Sequence, residues 1–140
     1  MLTKNPHNLP DGVELLDTLE TELNTVYFYP RMVVSEAREG VTISYKTGFS
    51  ILLKILRIGS FKKCVYISNR INSYSVNPTD YKYLNKIPSL AAIAIVAPTE
   101  SARQNAELEK KFFNGKIEVF ETILDAYHWT QKMLNAWGFI

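Results

Sequence analysis

Between Leu90 and Ala97 the chain runs LAAIAIVA without a polar side chain. The run is too short to cross a bilayer as a helix, which takes about 20 residues. An apolar stretch of this length is a strand buried on both faces, and such a strand needs a packed layer on each side of its sheet. The flanking sequence supplies those layers. Thr99 and Ser101 offer capping hydroxyls, Ser101 with Gln104 has capping-box spacing, and Ala102, Ala106, Leu108, Phe112 and Phe113 give a helix its apolar residues before Gly115. Lys116 to Phe120 then reads as a strand, and Thr122 to Ala136 as a final helix with Ile123, Ala126, Tyr127, Thr130 and Leu134 at spacings of three and four. Upstream, Lys63 to Ser68 reads as another buried strand. Asn77, Pro78, Thr79 and Asp80 make an N-cap, a first-turn proline and an acidic first turn for a short helix that reaches Lys86 and ends at Pro88. Each crossover is long enough for a parallel connection, so this half of the chain forms alternating βα units.

The first half reads differently. Val13 to Thr21 and Thr25 to Tyr29 flank Glu22, Leu23 and Asn24, which suits an antiparallel hairpin, with Met32 to Ser35 continuing its second strand past Pro30 at an edge or bulge. Ser44 to Ile58 changes to helical period through Tyr45, Phe49, Leu52, Leu53 and Leu56, and Gly59 stops it. Pro6, Pro10 and Gly12 punctuate a polar start, read as a loose segment over 1–12 ahead of one domain over 13–140. The fold class is therefore α/β: a mixed sheet of four to five strands, an N-terminal antiparallel hairpin followed by βα units, flanked by helices. With 140 residues, 46% of them hydrophobic, one core suffices.

Charge and cysteine usage narrow the surroundings. A formal charge of +2 gives no basis for a nucleic-acid partner. The lone Cys64 cannot form an intramolecular disulfide and suits a reducing interior, and the first dozen residues carry no secretory h-region, so a cytoplasmic protein without membrane insertion is expected.

The strand and loop YISNRINSYSVNPTDY at Tyr66 to Tyr81, the strand AAIAIVAPTESA at Ala91 to Ala102 and the closing VFETILDAYHW at Val119 to Trp129 together resemble the STAS/SpoIIAA-like family, in particular its small stand-alone bacterial members. The resemblance extends from Val13 over nearly the whole chain. It implies a SpoIIAA-like sheet shared with anti-sigma-factor antagonists and with CRAL-TRIO lipid-transfer domains. The antagonists are protein-binding switches, phosphorylated on a hydroxyl at a helix N-terminus; the lipid-transfer branch encloses an apolar ligand. The chain departs from the antagonists in lacking their Asp-Ser-Ser-Gly sequence, and presents Ser73, Tyr74, Ser75 and Thr79 in a topologically similar loop.

That loop, Asn69 to Asp80, follows the C-terminal end of a strand, where open α/β sheets place ligands. Arg70 is suited to bidentate pairing with a carboxylate or phosphate, and Asn69, Tyr74, Asn77 and Thr79 surround it as binding candidates. A second reading has Asn69, Asn72 and Ser75 bonding their own turn while Tyr74 packs on the domain. Tyr66, Tyr74, Tyr81 and Tyr83 likewise suit either a recognition face or half-buried core positions. His7 and His128 lack metal-ligand spacing, so neither a metal nor another cofactor is expected. Glu36 with Glu39, and Glu107 with Glu109, suit solvated faces. Without a G-x-S-x-G elbow or a P-loop, catalysis is not expected. The apolar tail Trp137 to Ile140 should dock, either on the domain itself or in a homodimer or partner contact. The expectation is a regulatory, protein-binding domain with Ser73 and Ser75 as candidate phosphorylation switches. The alternative is a carrier of a small apolar or lipid-like ligand, suggested by Phe49, Leu52, Leu53, Phe112 and Phe113.

Overall fold

A computed structural model describes residues 5–43, 63–72, 74–87 and 90–136. Its main sheet holds β1 (Asp17–Glu20), β2 (Asn24–Tyr29), β3 (Met32–Ala37), β5 (Cys64–Asn69), β7 (Leu90–Val96) and β8 (Lys116–Phe120), side by side in that order. β1, β2 and β3 are antiparallel neighbours, and β3, β5, β7 and β8 run parallel. Two short strands, β4 (Thr42–Ile43) and β6 (Ser75–Val76), pair in parallel apart from the main sheet. The alternating second half is as the sequence indicates, because each helical crossover returns the chain to the same end of the sheet.

The sheet has six strands where four to five were expected, and the extra one comes from the first half. Met32–Ala37 does not continue β2. The register Tyr29↔Met32 leaves Pro30 and Arg31 as a two-residue turn, with Arg31 in the left-handed region at φ 58°. Proline fixes the first turn position and removes an amide the ladder does not need there, while the left-handed second residue reverses the chain. β3 thereby becomes an inner strand, buried along most of its length, and β1 is left as the edge, exposed at all four residues.

Three α-helices are described. A 3₁₀ turn, Pro78–Asp80, leads into α1 (Tyr81–Leu84); α2 (Glu100–Glu109) runs into a second 3₁₀ turn, Lys110–Phe112; and α3 (Ile123–Ala136) closes the described chain. Side chains cap their starts. Asn77 Oδ1 accepts from the Thr79 amide at 3.2 Å, Thr99 Oγ1 from Ala102 at 3.1 Å and Thr122 Oγ1 from Asp125 at 3.2 Å. Thr99 is thus the cap of α2, and Ser101 lies inside the helix. The helix expected over Ser44 to Ile58, Pro88 and the tail from Trp137 lie outside the described residues.

β7 is the buried central strand anticipated from its composition, and the period-two alternation divides its side chains between two cores. On one face Ile93 and Ile95 pack with Val33, Tyr66, Leu84 and Ala106 beneath α1 and α2. On the other, Ala92, Ala94 and Val96 pack with Val34, Ile67, Ala126 and Leu134 beneath α3. Small side chains on this second face let the α3 backbone come close. Leu9, Val13 and Leu15 cover the same face beside the helix. The segment read as loose is therefore tied down from Asn5 onward: Asn5 and His7 bond to side chains of β2 and β3. No described helix is long and apolar enough to cross a membrane.

Candidate functional site

The C-terminal ends of β3, β5 and β7 gather the buried polar residues, and strand alternation sorts them to opposite faces. Ser68 and Arg70 fall on the α1–α2 face. Arg70 is 8% exposed and Glu109 4%, and the guanidinium grips the carboxylate with two bonds: Nη2 donates to Oε1 at 2.6 Å, and Nη1 to Oε2. Arg70 Nε donates to Ser68 Oγ at 3.2 Å, and the Tyr81 hydroxyl donates to Glu109 Oε1 at 2.7 Å. Ser68 Oγ and the Tyr74 hydroxyl are 2.8 Å apart, with the guanidinium 5.5 Å from the Tyr74 ring centre. A bidentate, charge-assisted pair with its remaining groups bonded is the arrangement that offsets the desolvation of two buried charges. Burial, and then the Glu109 charge, push the Tyr81 phenol well above its ordinary range, so it stays a neutral donor.

The segment beyond Arg70 is anchored at several points. The Arg70 amide donates to the Val96 carbonyl at 2.9 Å and Asn72 Nδ2 to the Ala37 carbonyl at 3.0 Å. Ser75 enters β6, in register with Thr42. Asn77 caps the 3₁₀ turn and also accepts from the Thr79 hydroxyl at 2.8 Å. Ile71 stands 58% exposed, and Asn77 and Thr79 are exposed as well. Of the candidates, Asn77 and Thr79 remain on the surface, Tyr74 is half-buried, and Asn69 and Arg70 are buried, each bonded to a carboxylate. Arg70 is therefore engaged by the protein itself. Ser73 lies outside the described residues, and for Ser75 the described feature is its backbone in β6. Tyr66 and Tyr81 are core residues, so the tyrosines do not form one recognition face.

The second network lies on the α3 face. Asn69 Nδ2 donates to Glu36 Oε2 at 2.7 Å, and His7 Nε2 lies 2.6 Å from the same oxygen. His7 Nδ1 is 2.6 Å from the Tyr29 hydroxyl, which donates to Asn5 Oδ1 at 2.8 Å. Burial, with a contribution from the Glu36 charge, pushes the Tyr29 phenol up to about 12.

Glu36 and Glu109 correct the reading of both acidic pairs as solvated, and His7 is a docked side chain. Glu109 carried a signal: it sits three residues after Ala106 and seven after Ala102, on the apolar stripe of its helix, where an acid must find a buried partner. Glu36 and His7 are distant in sequence, and no local pattern joins them. His128 is exposed on α3. Among the described residues no three His, Cys, Asp or Glu side chains converge as metal ligands. An open groove of about 400 Å³ lies at the opposite end of β3, lined in part by Pro10, Val13, Tyr29, Met32, Tyr127 and Gln131.

No protein-family model matches the chain, and no curated protein matches its sequence. Among solved structures it is similar to an uncharacterized protein of the DUF3478 family with a SpoIIAA-like fold from Shewanella loihica PV-4. The two are 14% identical, the match covers 93% of this chain and 99% of that one, and the TM-score is 0.50. The likeness shows the fold, SpoIIAA-like, as the motifs of the sequence indicated.

Proposed function

We propose that this SpoIIAA-like domain is a non-catalytic interaction module that presents residues 69–80 to a partner protein. The observation that carries the reading is the mutual engagement of the polar groups at the strand ends. Arg70, Glu109, Tyr81, Ser68 and Tyr74 bond to one another, giving the segment a fixed base from which Ile71 and Thr79 project. A rigid platform with an exposed aliphatic anchor favours docking, because little ordering entropy remains to be lost on binding. Strand order supports the same reading. Among the described strands it follows the chain without reversal, and no diverging pair of crossovers, the arrangement that opens a ligand crevice, is found among them.

Ser73 and Ser75 stay the candidate switch residues. With Arg70 held by Glu109, a phosphate on either would act by adding about two negative charges to the docking surface. One observation favours the alternative of an apolar or lipid-like ligand: the groove walled by Val13, Tyr29, Met32 and Tyr127. Native mass spectrometry of the chain isolated gently from its own cells separates the two. A retained protein that is lost in an Ile71→Asp variant of unchanged melting temperature supports the platform. A small-molecule adduct that vanishes on denaturation and persists in that variant replaces it with the carrier.

A further inference from the structure

The His7 network lies across the sheet from the Arg70 network and shares Asn69 with residues 69–80, and its hydrogen bonds order its donors and acceptors. The His7 amide can only donate, and it donates to Asn5 at 2.9 Å, so the atom of Asn5 turned toward it is Oδ1. The Tyr29 hydroxyl meets that same Oδ1 at 2.8 Å and must donate to it. The phenol oxygen is then an acceptor toward the ring, and Nδ1 at 2.6 Å is the donor. On the other side Nε2 faces Glu36 Oε2, which also accepts from Asn69. With Nδ1 donating to the phenol oxygen and Nε2 facing a carboxylate oxygen, the site sets two acceptors against the opposed ring nitrogens, the pattern that a doubly protonated imidazole satisfies. The Tyr27 ring lies edge-on to it at 4.6 Å. The site walls come from β2, β3 and β5, whereas His7 arrives on the N-terminal strap, with its side chain 5% exposed.

We infer that Tyr27, Tyr29, Glu36 and Asn69 form a receptor for a protonated imidazole, a site that the chain fills with its own His7. The strap is the tether and the imidazolium is the ligand. One carboxylate oxygen and one phenol oxygen at these spacings, with the Tyr27 ring set nearly perpendicular beside them, select a small planar cation with two opposed N–H groups. A Lys ammonium has the charge without the opposed donors. The site shares Asn69 with residues 69–80, through its bond to Glu36, and does not depend on whether that segment docks a partner.

Imidazole itself is the probe. Removing the ligand, in His7→Gly, leaves the walls in place, and the variant should melt on the order of 5 °C below the parent protein. At about pH 6, where free imidazole is mostly protonated, imidazole should raise the melting temperature of His7→Gly by at least about 2 °C and leave the parent unmoved. Adding Glu36→Gln to His7→Gly should abolish that gain. Equal shifts in parent and variant, or none in either, overturn the site. Nitrogen NMR of the parent protein tests it even if the glycine variant does not fold. Both His7 ring nitrogens should be protonated in the native state, and one bare nitrogen overturns the assignment.

Discussion

Glu109 shows how much one side chain can hold in place. Its carboxylate accepts from both Arg70 and Tyr81 within a helix that is otherwise polar and exposed over most of its length. Glu109→Ala would leave a guanidinium buried without its counter-charge, at a cost of about 3–5 kcal/mol. Replacing the pair together, Arg70→Met with Glu109→Leu, should cost clearly less than Glu109→Ala alone, since no unpaired charge is left behind. Urea denaturation of the three variants checks the order. At this scale the sequence was legible in part. Asn77 was identified as a cap because a polar residue followed by proline is a local signal. The partners of Arg70 and His7 were not, because the contact Arg70–Glu109 spans 39 positions and His7–Glu36 spans 29. Such pairs exist only once the strands are laid side by side.

Among the elements, those with strong periodicity and clear punctuation were legible: β8 has the expected bounds, Lys116–Phe120, and β7 and α3 differ by single residues. The hairpin between β2 and β3 was not, because its left-handed residue is Arg31. A Gly or Asn there would have announced a turn. β6, two residues long, is too short to show any period. For α2 the start rests on Thr99, whose hydroxyl group satisfies the Ala102 amide. Thr99→Ala should therefore lower stability by about 1 kcal/mol, whereas Ser101→Ala, inside the helix, should change it by under about 0.5 kcal/mol. Thermal unfolding of the two variants tests which residue is the cap.

For the molecule as a whole, buried acids set an alkaline limit. Burial pushes the Cys64 thiol up to about 12 and the Tyr29 phenol to about 12, with the Tyr81 phenol also raised. The folded protein keeps these protons where the unfolded chain, with thiol and phenol near their ordinary ~8.5 and ~10, gives them up. The stability they confer is complete below about pH 8 and is lost as pH rises toward 12. Urea midpoints should fall as pH rises from about 8 toward 12, and Cys64→Ala should remove the earlier part of that fall.

The same sheet also governs how copies of the protein meet. β1 lies at its margin, with Asp17 and Glu20 exposed and Asp17 Oδ1 accepting from the Thr18 amide at 2.8 Å; on the far margin β8 shows Lys116 and Glu118 to solvent. Two molecules aligned along β1 would set carboxylate against carboxylate and find one of the needed amides already engaged. The strand that gives up most of its own burial thus acts as a fence, keeping a six-stranded sheet from recruiting a seventh from its neighbour in a crowded solution.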